Sequence, residues 1–229
     1  MVYQLERRST FTRAQEDYLK ALYHLHGDQR PVPTRDLAQR LGISSPSVSE
    51  MVTRLSAQGL VEHDRYRGQQ LTRDGRKVAL ELVRHHRLLE MFLVQVLGYR
   101  WDEVHDEAER LEHVISERME QRIFELLGRP ELDPHGHAIP TLGGKVRPLS
   151  DRPLSECRVG EKVVVQGVSD DDPARLRELQ RRGLVPGKRI EIVEASTYEG
   201  PIEVRIKGRR VPVPLGLARA VFVEAARTA

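Results

Sequence analysis

Apolar positions in the first 75 residues follow helical spacing and then strand-like spacing. Ala14, Tyr18 and Leu22 share one helical face. Thr34 is predicted to cap a short helix that Gly42 closes, and Ser45 to cap a helix with Pro46 at its first position. The pattern predicts, in order, a helix at 12–25, a helix at 35–41, a helix from 45, and wing strands at 60–63 and 69–72.

Helix, short helix, tight turn, helix and hairpin together form the pattern of a winged helix-turn-helix. Ala38 is small enough for two helices to cross closely, and Gly42 tolerates the backbone angles of the turn. A generic three-helix bundle is the alternative. The serine-rich third helix favours the DNA-binding interpretation, because a purely structural helix gains little from exposed hydroxyls.

The remainder of the chain predicts more helices and then a β-rich unit. Helices are expected at 74–96 and, as one continuous helix, at 101–127. Residues 130–150 are rich in proline and glycine and indicate a linker or an ordered irregular crossing. From residue 161 the apolar period becomes two, which predicts a small β-barrel. The predicted strands are 162–168, 189–195, 202–206, 209–213 and 220–224, with a helix at 173–182.

Three domains follow from this pattern: a winged helix at 1–75, a helical domain at 76–145 and a β-barrel at 150–229. The fold class is therefore mainly α with a C-terminal all-β unit. The net charge of +3 conceals an asymmetry, since blocks 1–80, 81–145 and 146–229 carry +4, −5 and +4. A basic first block is compatible with nucleic acid and an acidic, histidine-rich middle block with a cation, although ordinary solvated helix surfaces would give the same charges.

Composition also restricts the cellular setting. The sequence has no apolar run long enough to span a bilayer and no signal-peptide pattern at its N-terminus. A single cysteine, Cys157, cannot form an internal disulfide and excludes a thiolate-rich zinc site. We expect a cytoplasmic protein with no membrane partner.

Histidines and carboxylates gather where the acidic block is predicted to be helical. On one continuous helix His105, Glu109, Glu112 and His113 would share one stripe. Such a stripe is unusual for a plain core face, because buried carboxylates need a partner or a metal. The preceding helix adds the pair His86 and Glu90, and the first helix adds Asp17. Oxygen and imidazole donors suit Mn²⁺ or Fe²⁺. Ordinary surface ion pairs are the alternative.

Enzyme signatures are missing from the sequence. HExxH does not occur, and Arg110 stands three positions before His113, where a di-iron Glu-x-x-His motif needs glutamate. Neither a nucleophile elbow nor a P-loop is present. We therefore expect a non-enzyme with no small organic substrate, while a metalloenzyme with a structural N-terminal domain stays a minor alternative.

These segments closely resemble the diphtheria toxin repressor family of metal-dependent transcriptional regulators, in particular a manganese-responsive long-chain member. The resemblance covers the whole chain. It implies a metal-activated repressor of metal-ion uptake and homeostasis genes, a homodimer that binds a palindromic operator in double-stranded DNA, and an SH3-like C-terminal barrel. The matching segments are 16–19, 45–49, 86–90, 104–114 and 150–229.

The resemblance implies two metal sites per subunit. The primary site would use Asp17, Glu109, Glu112 and His113, and the ancillary site would use His86, Glu90, His105 and Asp172. Iron-sensing members carry sulfur where this chain has Asp17 and Glu109, so hard oxygens favour Mn²⁺ over the alternative Fe²⁺. Lys20 stands where manganese sensors offer another carboxylate, and Arg175 where long-chain members offer an amide.

The same resemblance places the start of the recognition helix at residues 45–49. Side chains of this helix and of the wing would then contact DNA bases and phosphates. The predicted contacts are Ser44, Pro46, Ser47, Ser49, Glu50, Arg65 and Arg67. An iron-responsive repressor of the same architecture and a metal-independent winged-helix regulator are the alternatives.

Overall fold

A computed structural model describes residues 11–64, 66–195 and 200–226. It divides into two compact units: the first holds 1–86, 111–122 and 140–145, and the second holds 87–110, 123–139 and 146–229. In the described part of the chain, no helix combines the length and apolar character that a bilayer crossing requires.

The N-terminal part of the first unit is a winged helix. Its core is formed by apolar side chains of all three helices and of the hairpin, including the fully buried Leu22, Leu37 and Leu55. The hairpin pairs Val61 with Leu71 in antiparallel register. The elements are α1 (Arg13–His24), α2 (Thr34–Leu41), α3 (Ser45–Ala57), β1 (Val61–Asp64) and β2 (Gly68–Leu71).

Two predicted helix caps are wrong by one residue. Thr34 is the first residue of α2, and Pro33 precedes the helix without a side-chain cap. The cap of α3 is Ser44, whose hydroxyl accepts the backbone N–H of Ser47. An Asx turn closes the wing tip, because Asp64 accepts the backbone N–H groups of Tyr66 and Arg67.

The single helix expected at 101–127 is two helices separated by a turn. Helix α4 (Arg73–Gln95) agrees with the prediction, and it is followed by α5 (Val104–Leu111) and α6 (Glu117–Leu126). Ser116 caps the start of α6, since its hydroxyl accepts the backbone N–H of Met119. Glu112 and His113 therefore lie in the turn after α5 and not on a continuous helical stripe.

The C-terminal part of the second unit is a five-stranded antiparallel sheet with order β6-β5-β4-β3-β7. Alternate residues such as Val163 and Val165 enter an apolar core that also contains Trp101, and the partly buried Val94 packs against it. This confirms the predicted SH3-like unit. Its elements are β3 (Lys162–Val168), α7 (Pro173–Arg182), β4 (Arg189–Ala195), β5 (Ile202–Ile206), β6 (Arg209–Val213), α8 (Leu215–Ala218) and β7 (Val221–Ala225), after a short 3-10 helix at Leu154–Glu156.

Residues 131–139 form an ordered irregular segment in the second unit. The carboxylate of Asp133 accepts the backbone N–H groups of His135 and His137, which fixes the turn between them. Gly136 has φ 90°, and a Cβ there would lie 2.0 Å from the carbonyl oxygen of Gln166. Only glycine fits this position. The proline- and glycine-rich stretch is thus an ordered segment here and not a flexible linker.

Candidate metal centres and DNA-contact surface

Three of the predicted primary ligands meet in the first unit. Asp17 projects from α1, and Glu112 and His113 follow the end of α5. His113 Nε2 lies 2.9 Å from Asp17 Oδ1 and 3.6 Å from Glu112 Oε1. The side chains of Glu112 and His113 are 0% and 6% exposed, so little water competes for these atoms.

Glu16 orients the imidazole of His113. Its Oε2 lies 2.6 Å from His113 Nδ1, which leaves Nε2 directed toward Asp17. A carboxylate on the second ring nitrogen is the usual support of a metal-binding histidine. Burial of His113 opposes its charge, but hydrogen bonds to Asp17 and Glu16 outweigh burial and raise the pKa of His113 to about 9. At neutral pH in the metal-free protein the ring is therefore the positively charged imidazolium, with a proton on each nitrogen.

Glu112 has two further partners in the first unit. Lys20 donates to both carboxylate oxygens at 2.7 and 2.8 Å. His86 Nδ1 lies 2.5 Å from Glu112 Oε2. Sequence reasoning assigned His86 to the ancillary site, and in the structure its Nδ1 also contacts Glu112.

A buried hydrogen-bonded chain supports the backbone at Glu112. His85 Nδ1 lies 3.2 Å from the Glu112 carbonyl oxygen, and His85 Nε2 lies 3.1 Å from Glu120 Oε2. Arg84 donates to the other oxygen of Glu120 at 2.5 Å and to the carbonyl of Pro140. Burial of Glu120 is outweighed by His85 and Arg84, which lower the pKa of the carboxyl. The position of Glu112 is thus fixed by its backbone and its side chain.

The donor set of the first unit fits a divalent cation. Ligand atoms of Asp17, Glu112 and His113 lie within 4.8 Å of one another. Two carboxylate oxygens and one imidazole suit manganese or ferrous iron. The single cysteine of the chain, Cys157, is buried in the apolar core of the second unit. Bound here, the ion would supply a crosslink between α1 and the turn after α5.

A second cluster lies in the second unit around Glu90, whose side chain is fully buried. His105 Nδ1 lies 3.7 Å from Glu90 Oε1, and His135 Nδ1 lies 3.5 Å from Glu90 Oε2. Asp133 lies within 4.8 Å of Glu90 and His135, and Asp170 lies within 4.8 Å of Glu90 and His105. A buried carboxylate surrounded by two imidazoles and two acids fits a cation better than it fits an apolar core.

Electrostatics in this second cluster resemble those at His113. Burial opposes the charge of His135, but the hydrogen bond to Glu90 and the charges of Glu90, Asp133 and Asp170 raise the pKa of His135 to about 9. Burial also opposes the charge of His137, and Asp133 and Asp170 raise its pKa. At neutral pH His135 is therefore protonated at the Nδ1 that faces Glu90.

Asp172 has a structural role in the loop before α7. Its carboxylate accepts the backbone N–H groups of Ala174 and Arg175 and caps α7. The acidic residue of this loop that enters the cluster is Asp170, two positions earlier. Glu109, on α5 in the second unit, lies 4.0 Å from His105 Nε2.

Four residues of these centres were missed by sequence reasoning. Glu16 was noted only as part of a motif, and Asp133, His135 and Asp170 were not considered. His135 and His137 in the proline- and glycine-rich stretch were an available signal, because histidine is uncommon in a plain linker. Asp170 carried no signal that distinguished it from Asp171 and Asp172.

The predicted DNA-contact side chains lie at the exposed start of α3. Ser44, Pro46 and Ser47 are all exposed, as are Ser49 and Glu50. The hydroxyls of Ser44 and Ser47 lie 2.8 Å apart, and Glu50 pairs with Arg54 at 2.5 Å. Arg67 is exposed at the wing, whereas Arg65 lies outside the described residues. Exposed hydroxyls at a helix N-terminus are suited to phosphate contacts.

The fold and the site together define a class of protein, the DNA-binding regulators controlled by a metal ion. The winged helix exposes a polar third helix, and the cluster in the first unit combines buried carboxylates and imidazoles. Family models agree along the chain. Residues 10–69 match the iron-dependent repressor N-terminal DNA-binding domain, 72–141 its metal binding and dimerisation domain, and 152–225 the FeoA domain.

Individual relatives point to the same group. The chain is 36% identical over 223 residues to the iron-dependent repressor IdeR of Mycobacterium tuberculosis, covering 91% of this chain and 96% of that protein. It is 30% identical to the diphtheria toxin repressor of Corynebacterium diphtheriae, with 91% and 96% covered. The chain belongs to the diphtheria toxin repressor family of metal-dependent, DNA-binding transcriptional repressors, which are not enzymes.

Solved structures in the family share the architecture. A manganese-dependent transcriptional repressor in complex with manganese is 42% identical, with a TM-score of 0.85 over 93% of this chain and 100% of that chain. The apo form of the manganese-activated repressor ScaR is 33% identical, with a TM-score of 0.77 over 92% and 100%. These similarities extend over all three matched regions.

Proposed function

We propose that the chain is a Mn²⁺-activated repressor whose switching site includes Asp17, Glu112 and His113. The observation that carries this proposal is the contact of His113 Nε2 with Asp17, while Nδ1 is held by Glu16. Hard oxygen donors without a thiolate favour Mn²⁺, and a related repressor structure is a manganese complex. Ferrous iron is the alternative, supported by similarity to iron-dependent repressors.

The switch follows from the elements that carry the ligands. Asp17 belongs to the first helix of the winged helix, whereas Glu112 and His113 belong to the matched metal-binding and dimerisation region. An ion held by all three fixes one arrangement of α1 and the turn after α5. Because it binds that arrangement more tightly than the others, it shifts the population toward the DNA-binding state. Glu109 is proposed as a fourth ligand on the basis of family resemblance.

A second site is proposed in the second unit. Its ligands are drawn from Glu90, His105, Asp133, His135 and Asp170. His86, which also contacts Glu112, stays a proposed ancillary ligand from the family resemblance. Asp170 is proposed in place of Asp172, which caps α7. Two ions per chain remain the proposed stoichiometry, and the three-domain division at 1–75, 76–145 and 150–229 is kept as a proposal.

We also propose how the repressor meets DNA. Two copies related by a two-fold axis would present their α3 helices to a palindromic operator. The named serines, Pro46, Glu50 and the wing arginines would make the contacts. The targets would be genes of metal-ion uptake, and the protein would act in the cytoplasm, where the chromosome lies.

The site assignment is tested by exchanging one ligand. Asp17→Ala removes the oxygen that faces His113 Nε2, so the Mn²⁺ concentration needed for half-maximal DNA binding is expected to rise by at least about tenfold. Asp74→Ala is the matched control, because Asp74 is an exposed carboxylate that pairs with Lys77 on the surface of α4. Unchanged Mn²⁺ dependence in Asp17→Ala would contradict the assignment.

A further inference from the structure

A buried ammonium group lies among the proposed ligands of the first unit. Lys20 Nζ is 2.7 and 2.8 Å from the two carboxylate oxygens of Glu112 and 3.3 Å from His86 Nδ1. The side chains of Lys20 and Glu112 are 9% and 0% exposed. A cation that belongs to the chain thus already contacts both oxygens of a proposed metal ligand.

This ammonium has two opposing effects on the site. It compensates the charge of Glu112, which would otherwise be a buried carboxylate at high cost in the ion-free protein. It also repels an incoming divalent ion, because two positive charges beside the same carboxylate interact strongly where little water screens them. Both effects favour the ion-free state over the ion-bound state.

We propose that Lys20 is a resident cation that competes with the divalent ion for Glu112 and so sets the metal concentration at which the repressor responds. The inference rests on the proposed function, in which Glu112 helps to hold the switching ion. If Lys20 and Glu112 formed only a structural ion pair, removal of Lys20 would have a different effect. Its removal would lower stability and would leave metal affinity unchanged or weaker.

The test removes the charge of Lys20 while keeping a hydrogen-bond donor. Lys20→Gln in the full chain is titrated with Mn²⁺ by calorimetry at fixed pH and ionic strength, and melted in chelator. The variant is expected to bind Mn²⁺ at least about tenfold more tightly, although its melting temperature in chelator falls. Loss of the tightened site when Asp17→Asn is added assigns the gain to the first unit.

Two controls separate charge from packing. Lys20→Arg keeps the positive charge and is expected to bind Mn²⁺ much more weakly than Lys20→Gln. Lys77→Met removes an exposed ammonium that pairs with Asp74, and its Mn²⁺ affinity should stay within about twofold of the original chain. If ion-free Lys20→Gln does not fold, the rate at which Mn²⁺ leaves the loaded variant in excess chelator is measured instead, and it should be at least about tenfold lower than in the original chain.

The outcomes distinguish this inference from the function on which it rests. Equal or weaker Mn²⁺ binding by Lys20→Gln, with normal binding by the original chain, overturns the role of Lys20 alone. If the original chain has no Mn²⁺ site that depends on Asp17, the proposed switching site itself is wrong.

Discussion

The protonated imidazole of His113 links ion binding to pH. Burial opposes its charge, but the carboxylates of Asp17 and Glu16 beside its two nitrogens raise its pKa from an ordinary 6.5 to about 9. An ion at Nε2 must displace a proton. The affinity of this site for the metal therefore falls as the proton concentration rises.

The stability of the metal-free protein and its affinity for Mn²⁺ should depend on pH with opposite signs. Because the folded-state pKa lies above the unfolded value of 6.5, the stabilisation from charged His113 is complete below pH 6.5 and lost as pH rises through about 9. His135 adds a shift of the same sign. The melting temperature in chelator should thus fall between pH 6.5 and 9. Mn²⁺ affinity should rise over that interval, as thermal melts and calorimetry can measure.

Buffers with different ionisation enthalpies provide the control. Mn²⁺ binding at pH 7.5 should release about one proton for each protonated histidine ligand, so the observed enthalpy should depend on the buffer. A binding enthalpy that is the same in all buffers would contradict the displacement of a proton from His113.

Two aspartates in one loop provide a matched test of the second site. Asp170→Ala should remove the second ion, because Asp170 is the acid of that loop in the cluster with Glu90 and His105. Asp172→Ala should keep both ions and cost about 1 kcal/mol of stability, because it removes the cap of α7. Metal content after dialysis and thermal melts measure both effects, and loss of an ion from Asp172→Ala alone would reverse the assignment.

The sequence predicted which residue types form the sites more accurately than it predicted which residues contact one another. Carboxylates and histidines around residues 86–113 were recognisable by type. Their partners depended on tertiary contacts, as for His86, which lies beside Glu112 and Lys20. No spacing rule would have identified Asp170 over its two aspartate neighbours.

The helices show where periodicity misleads at the level of elements. Apolar spacing continues through residues 112–116 without glycine or proline, so one helix was predicted there. The structure ends α5 at Leu111 and restarts at Glu117 after Ser116. Serine at that position was the missed capping signal. This turn carries Glu112 and His113, two of the proposed ligands.

A substitution at Gly136 tests whether segment 131–139 holds the second ion. In Gly136→Ala a Cβ would lie 2.0 Å from a carbonyl oxygen at a residue with φ 90°. The segment should be displaced, at a cost of about 3 kcal/mol or more, and the ion held beside Asp133 and His135 should be lost. Metal analysis and denaturant unfolding provide the measurements.

Gly216→Ala is the control for that substitution. It lies in α8 of the same unit, and no described atom lies within 4 Å of a Cβ built there. Its stability and metal content should stay close to those of the original chain. If Gly136→Ala behaved like this control, residues 131–139 would not hold the second ion.

At the level of the whole molecule, patterning predicted the architecture. Four strands of the C-terminal sheet agree with the predicted ranges, and β7 is shifted by one residue, from 220–224 to 221–225. Period-two alternation is a strong signal where one face of a strand enters a core, as Val163 and Val165 do in β3. The winged helix was predicted from turns and caps, and the family models match the same regions.

The central claim is that a divalent ion, preferentially Mn²⁺, switches DNA binding on. The most direct measurement is binding of the metal-stripped chain to the DNA upstream of its own gene, with Mn²⁺, with anaerobic Fe²⁺ or with chelator, at one ionic strength because phosphate contacts make affinity salt-dependent. We predict tight binding only with metal, at a lower concentration of Mn²⁺ than of Fe²⁺. Equally tight binding in chelator would contradict the claim.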